Sequence, residues 1–242
     1  MLQSTQGIVL HTTPFSESSI VAKIYTQKWG MQSFLINSVR SAKAKNKPIL
    51  FQPLTIIELE AYHKQNRGLQ KISKVHNTLS LHQSASFDPA KAGLGFFIAE
   101  IIYKTIKEEH PDAELFDFLV HSIHQLVETQ NSIANFHLAF MIEYSRFLGF
   151  YPQYNQYDAP AYFDLKDGNF MLQRPMHMLY VDIKESAVIE SLMKSELSAC
   201  HTIQLSRESR KLLLDSLLLF YSLHISNWST IKSLQVLEDL FS

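Results

Sequence analysis

The chain has 242 residues, 46% of them hydrophobic and 19% charged, enough for one large domain or two small ones of ordinary globular composition. No run approaches the ~20 apolar residues that span a bilayer, Met1–Gly7 lacks the basic and apolar regions of a secretion signal, and Cys200 as the only cysteine excludes an internal disulfide and a cysteine-based zinc site; a cytoplasmic protein fits these limits. The net charge of −1 hides a division: residues 1–80 carry ten Lys/Arg against Glu17, Glu58 and Glu60, a net +7, and the remaining 162 residues carry 12 basic and 20 acidic groups, a net −8. Such asymmetry is the electrostatic signature of a polyanion-binding domain joined to something else; the plain alternative is a basic surface with no partner.

The first 80 residues read as strands. Gly7–His11 is short and β-branched, and Ile20, Ala22 and Ile24 alternate with Val21, Lys23 and Tyr25, the period of a half-buried strand. Trp29-Gly30 is a turn, Gln32–Val39 a third strand, Leu54–Tyr62 a fourth, and Arg67-Gly68 turns the chain into a fifth, Leu69–Val75. Five short strands at this length predict a small closed sheet of the OB type. From Asp88-Pro89, an N-cap followed by Pro at the first helical position, the period becomes 3.6. Leu94, Phe97, Ile98, Ile101 and Ile102 form one stripe, and Pro111-Asp112 starts a second helix running through Val127. Ser132 starts a third, which ends at Gly149 as its C-cap glycine. Residues 184–197, 206–222 (with Ser206 as cap) and 230–241 supply the remaining helices. Tyr162–Leu165 and Asn169–Leu172, joined through Asp167-Gly168, read as a β-hairpin. The predicted fold is α+β and multidomain: an OB barrel over 1–80, then a helical domain over 81–242 with a hairpin sub-domain at about 151–180.

The segment Arg40-Ser41-Ala42-Lys43-Ala44-Lys45-Asn46-Lys47 offers four cations and no acid between strands three and four. Basic side chains there can neutralise phosphates and release counterions, and Lys23, Lys28, Lys71 and Lys74 on neighbouring strands extend the set. The alternative is a charged, solvated loop. Among the nearby aromatics, Tyr25 shares a strand face with Lys23 and is expected outward, Phe34 belongs in the core, and Trp29 and Tyr62 are left open; core packing is the default for each alone. His121, His124 and His137 are close enough along the helices to suggest a metal site, but no carboxylate pattern accompanies them and they read as polar-face histidines, so no metal and no cofactor are expected. Gly93-Leu94-Gly95 lies inside a helical pattern without the preceding strand that a dinucleotide site needs, and no catalytic motif proposes a reaction.

Pro14-Phe15-Ser16-Glu17-Ser18-Ser19-Ile20-Val21, then Tyr25-Thr26 and Gly30, resembles the start of the RecO family of bacterial recombination mediators. Phe51-Gln52-Pro53-Leu54 with Glu58-Leu59-Glu60, Phe147-Leu148-Gly149-Phe150-Tyr151-Pro152, and Ile231-Lys232-Ser233-Leu234 resemble later landmarks of that family, in the same order over nearly the whole chain. The resemblance implies an N-terminal OB domain and a helical C-terminal domain in a nucleoid-associated, non-enzymatic protein. It implies binding of single- and double-stranded DNA, annealing of complementary strands, and work with RecR in loading RecA onto DNA coated by single-strand binding protein, whose acidic, apolar C-terminal tail it also binds. Many members carry a four-cysteine zinc motif just after the Gly-aromatic-x-Pro step. Here that place holds Tyr154, Tyr157 and the hairpin, so a zinc-free sub-domain held by aromatic packing is expected.

On this reading the phosphate contacts are Arg40, Lys43, Lys45 and Lys47, then Lys23, Lys28, Lys71 and Lys74. Binding is expected to be independent of sequence and to fall steeply with salt. The tail of single-strand binding protein needs an apolar pocket rimmed by cations on the helical domain, for which Arg146, Arg207, Arg210, Lys211 and Lys232 are candidates. The rival readings are an RNA-binding OB protein, a scaffold whose basic barrel contacts an acidic protein, and an enzyme without a recognisable motif.

Overall fold

The computed structural model describes residues 2–37, 47–64, 67–81, 88–106, 110–153 and 159–240. Five strands close into a barrel in the order β1-β2-β3-β5-β4: β1 (Leu2–Pro14), β2 (Ile20–Thr26), β3 (Gly30–Ile36), β4 (Ile56–Tyr62) and β5 (Gln70–Leu79), with one helical turn, α1 (Lys47–Leu50), between β3 and β4. β1 is long enough to serve two neighbours. Its first half pairs with β4, Leu2↔Tyr62 through Ile8↔Ile56, and its second with β2, Gly7↔Thr26 through Pro14↔Ile20. The register shift between Val9 and His11 is the bulge that bends the strand from one partner to the other. β3 and β5 join in parallel through Phe34↔Gln70 and Leu35↔Lys71. This closure is the five-stranded Greek-key barrel of the OB fold.

Alternation fills the barrel. Val9, Ala22, Ile24, Phe34, Ile57 and Leu59 point inward and form its core. The outer face is covered in part. Ile8 and Leu10 are buried as fully as Val9, and α2 packs on β1, which is why the start of the chain is a continuous apolar run and not an alternating one. Tyr25, expected outward beside Lys23, is only 1% exposed; Phe116 of α3 lies over it with ring centroids 6.1 Å apart. Trp29 is also buried, stacked on His63 at 4.6 Å.

The helices begin where short polar side chains can cap them. Asp88 accepts hydrogen bonds from the N–H groups of Ala90 (2.8 Å) and Lys91 (3.4 Å) at the start of α2 (Pro89–Thr105). Asp112 accepts from Leu115 N–H at 3.0 Å beside the start of α3 (Ala113–Glu128). α4 (Phe136–Phe147) starts three residues later than Ser132 suggests, with Asn135 as its N-cap residue. It ends as predicted at Gly149, whose φ of 85° lets its N–H reach the Arg146 carbonyl while Phe150 N–H reaches that of Ser145, the paired bonds of a Schellman motif. β6 (Tyr162–Asp164) and β7 (Asn169–Met171) form the predicted hairpin, and β8 (Tyr180–Val181), too short to carry a period, completes a three-stranded sheet in the order β7-β6-β8. α5 (Ile183–Lys194), a 3-10 turn (Leu197–Thr202), α6 (Arg207–His224) and α7 (Leu234–Leu240) follow.

Two compact units result: residues 1–128 with 231–240, and residues 129–230 with 241–242. The change of period near residue 80 marks where strands give way to helices, whereas compactness groups α2, α3 and α7 with the barrel. Gly93 and Gly95 make room for this packing. A Cβ on Gly93 would collide with Leu240 of α7, and one on Gly95 would stand 2.6 Å from a Leu81 methyl. Among the described residues no helix is long and apolar enough to cross a membrane.

Glu100 of α2 fastens the chain just before α7. Its carboxylate accepts from Lys232 N–H (2.9 Å), Ser233 N–H (2.8 Å) and the Ser233 hydroxyl (2.7 Å), and Lys104 Nζ lies 3.0 Å away. Burial pushes its pKa up, but the Lys232 N–H, the two Ser233 donors and Lys104 outweigh that and bring it from 4.5 down to about 2. A depressed carboxyl pKa contributes stability that is complete above the unfolded value and lost as pH falls through the folded one. Glu100→Gln is therefore expected to destabilise the protein by about 2 kcal/mol at pH 7, after discounting for solvent screening. The gap to wild type should narrow between pH 4.5 and 2. Urea midpoints measured across that window check it, and a gap that does not change with pH would refute the assignment.

Candidate nucleic-acid interface

The inward alternation of β2 and β3 turns Val21 and Lys23, then Ser33 and Leu35, to the outside of the barrel. Across the strands, Lys23 pairs with His11 on one side and Ser33 on the other, and Leu35 pairs with Lys71 of β5. Lys23 is half-buried and Lys71 exposed, so two of the predicted cations share the β2-β3-β5 face. Lys28 is exposed in the β2–β3 turn, where its N–H donates to Thr5 Oγ1 at 3.3 Å. Lys74 is exposed on the outside of β5 and pairs with Glu60 of β4 at 3.5 Å. Because Glu58 and Glu60 both point outward from β4, the barrel's outer surface is acidic along β4, whereas β2 and the start of β5 carry the outward cations Lys23 and Lys71 on either side of an uncharged β3. Arg40, Lys43 and Lys45 lie outside the described residues. Lys47 opens α1, but its side chain is not among the described atoms.

β3 ends at Ile36, paired with Ile20, and Ser19 Oγ donates to Asn37 Oδ1 at 3.3 Å. The last described residue before the basic segment, Asn37, therefore stands beside the β1–β2 loop, at the opposite end of β2 from Lys28. β2 has seven residues, about 20 Å of strand, with Lys23 midway. The cations are strung along one face and not gathered into a pocket. Two exposed aromatics stand near this surface: Tyr62, one of the aromatics the sequence places near the cations, and Phe15, which was not singled out. Phe15 is 60% exposed in the β1–β2 loop and Tyr62 55% exposed at the end of β4. The bonds from Phe15 N–H and Ser16 N–H to the Ser19 carbonyl fix the loop that carries Phe15. Its place in a Pro-Phe-Ser turn was the available signal.

The five candidates for a partner's tail do not form one cluster. Arg146 lies over the Tyr151 ring at 3.9 Å and pairs with Glu143 at 3.4 Å. Arg207 and Lys211 are exposed on the first turns of α6. Arg210, between them, is half-buried and engaged: Nε donates to Asn135 Oδ1 (3.1 Å) and Nη2 to the Leu205 carbonyl (3.3 Å). Lys232 belongs to the other compact unit. A cavity of about 270 Å³ lies beside the start of α6, with Val188, Leu205 and Leu213 as its apolar wall, Ser206 and Ser209 as polar lining, and Lys184 and Glu185 both contributing.

His121 and His124 are used along their own helix, bonded to Gln125 (2.8 Å) and Glu128 (3.3 Å). His137 is buried, and burial, then the Arg210 charge, lower its pKa to about 3. Among the described residues no group of three or more His, Cys, Asp or Glu is placed to hold a metal ion. Tyr154 and Tyr157 lie outside the described residues. The sheet that follows them packs Phe163, Phe170, Phe220 and Phe150 together. A second fastening was not foreseen. The buried Asp164 carboxylate accepts from Lys166 N–H (2.8 Å) and Asp167 N–H (3.2 Å) and pairs with His177 Nε2 at 3.1 Å.

A closed five-stranded barrel with a cation-lined outer face, followed by helices and a small sheet, defines an OB-fold protein with a helical extension. Residues 1–79 match the family model described as Recombination protein O N terminal, and residues 86–234 match Recombination protein O C terminal. The chain is 38% identical over 242 residues to DNA repair protein RecO of Bacteroides fragilis and 37% identical over 242 residues to that of Phocaeicola vulgatus, in each case covering 100% of both chains. To the protein of the same name in Flavobacterium psychrophilum it is 32% identical over 240 residues, 98% of each chain. The chain belongs to the RecO family of DNA repair proteins.

Proposed function

We propose that this protein is a non-catalytic mediator of recombinational repair. It binds single- and double-stranded DNA along the basic face of its barrel, anneals complementary strands, and with RecR helps RecA load onto DNA coated by single-strand binding protein. The observation that carries this reading is the alignment of Lys23 and Lys71 on one outer barrel face, with Lys28 at one end; the basic run 40–47 follows β3 in the sequence. Cations spaced along a strand suit a sugar-phosphate backbone, and exposed Phe15 and Tyr62 suit stacking on unpaired bases, worth about 1–3 kcal/mol each. Neutralising two backbones at once lowers their repulsion, and base pairing then drives annealing. The cavity beside α6, with Val188, Leu205 and Leu213 as its apolar wall and Lys184 as its lining cation beside Glu185, is our choice for the acidic, apolar tail of single-strand binding protein, with exposed Arg207 on the same first turn of α6. Arg210 is left out because its guanidinium is already bonded. The nucleoid is the expected location.

The test is annealing of two complementary oligonucleotides, one labelled, coated with cognate single-strand binding protein, at two salt concentrations. Acceleration that weakens with salt is expected. Replacing Arg40, Lys43, Lys45 and Lys47 together by Gln should make the salt dependence of binding to a single strand shallower by about 3 in log–log slope, at roughly 0.7 per phosphate contact. Absence of acceleration by a folded protein that binds neither strand would mean that the basic barrel serves a protein partner instead.

A further inference from the structure

The sequence sets Lys23 and Lys232 over two hundred residues apart and suggests different roles for them. The fold brings them to one place. His11 lies directly across from Lys23 in the β1–β2 ladder, a separation of about 5 Å between Cβ atoms. The His11 ring stacks on Tyr103 of α2, with centroids 4.8 Å apart and planes 16° from parallel. One turn earlier on α2, Glu100 holds the Lys232 N–H at 2.9 Å. The Glu100 carboxylate is already occupied by Lys104 and by three hydrogen bonds from Lys232 and Ser233. Neither Lys23 nor Lys232 has an ion-pair partner among the described residues.

We propose that a backbone phosphate of the bound DNA strand sits between Lys23 and Lys232 beside the stacked His11–Tyr103 pair, so that the strand leaves the barrel over α2 toward α7. This rests on the reading that the barrel binds DNA, and it makes Lys232 a DNA contact and not part of a tail pocket. Two lysines without ion-pair partners among the described residues, their backbones fixed by the β-ladder and by the Glu100 clasp, bring two ammonium groups to the surroundings of His11, where one anion can be shared between them. The flat ring pair between them is a surface on which a sugar or base can lie. His11 adds a pH dependence. Four groups face it: Glu100 and Tyr103 from α2, Lys23 from β2, and Lys232 from the segment before α7. Burial lowers its pKa, Glu100 raises it, and Lys232 and Lys23 lower it further, for a net lowering. A phosphate at this point favours the protonated ring, so binding takes up a proton, and affinity rises as pH falls from 8 toward 6.

The experiment is fluorescence anisotropy of a labelled 25-nucleotide thymidine oligomer with the full chain, titrated at several salt concentrations and at pH 8 and 6. The variants are Lys232→Gln, His11→Gln and, as a control on the β6–β7 turn, Lys166→Gln. Lys232→Gln keeps the backbone N–H that Glu100 binds, and an unchanged thermal melt confirms its fold. It should weaken binding about threefold or more and make the salt slope shallower by about 0.7, the loss of one phosphate contact. His11→Gln should flatten the rise in affinity between pH 8 and 6, and Lys166→Gln should match wild type. Wild type that fails to bind the oligomer at low salt would strike at the DNA-binding reading itself. Wild type that binds, with Lys232→Gln unchanged in affinity and slope, or with His11→Gln keeping the full pH dependence, would overturn this site alone.

Discussion

Phe220→Ala is expected to destabilise the protein by about 4 kcal/mol, the range for emptying a buried phenyl site. Phe220 is 1% exposed on α6 and meets three other rings edge-on: Phe150 at 5.3 Å, Phe163 at 5.4 Å and His224 at 4.6 Å. These rings come from different parts of the second unit. Phe150 follows the Gly149 cap of α4, Phe163 is in the central strand of the small sheet, and His224, one turn on, reaches the Leu165 carbonyl at 3.1 Å. The β6–β7 turn approaches as well, since a Cβ on Gly168 would be 3.5 Å from the Phe220 ring. Collapse around the missing ring would need several elements to move together, which places the cost toward the upper part of the range. With a urea dependence of about 2 kcal/mol per molar, the midpoint should fall by roughly 2 M. A fall of less than 0.5 M, about a quarter of that, would show that the sheet does not depend on this ring.

Asn135→Ala is expected to cost about 3 kcal/mol. The Asn135 side chain is buried. Its amide donates to the carbonyls of Cys200 (3.1 Å) and Ile203 (2.7 Å), and its oxygen accepts from Arg210 Nε (3.1 Å). Alanine leaves two carbonyls and a half-buried guanidinium without these partners, and each loss carries a desolvation penalty of about 1–3 kcal/mol. Asn135→Asp separates the contributions. A carboxylate would pair well with Arg210 but cannot donate to the two carbonyls. If the donor bonds dominate, Asp should be no more stable than Ala in chemical denaturation. If Asp recovers most of the loss, the guanidinium contact is what matters.

These two positions also show what the sequence could reveal. The barrel strands, the Asp88 and Ser206 caps, the Gly149 stop and the hairpin were legible because each depends on neighbours within a few residues. Asn135 was not, since its side chain is used by carbonyls more than 60 residues away, and Ser132, which looked like the better cap, lies outside the helix. Tyr25 was misjudged for a related reason: alternation tells which way a strand residue points, but not that another element covers that side. For the candidate interface, the charge asymmetry and the run at 40–47 stood out in the primary structure. The acidic strip along β4, and the nearness of both Lys23 and Lys232 to His11, depend on cross-strand register and on the Glu100 clasp, which no local pattern reports.

The clasp has a consequence for how the chain is made. Glu100 and Lys232 are separated by 132 residues. At about 5–20 residues per second of synthesis, roughly 7 to 26 s pass between the appearance of the carboxylate and that of the N–H groups it binds. The strands of the barrel are all synthesised before that interval, and the whole of residues 129–230 is synthesised within it. Throughout, Glu100 lacks the donors of Lys232 and Ser233, and the Gly93 side of α2 lacks α7. The first unit is thus the earliest to begin folding and the last to be completed. A chain interrupted within the second unit would lack α7, and the face of α2 around Gly93 that Val236 and Leu240 pack against would stay uncovered.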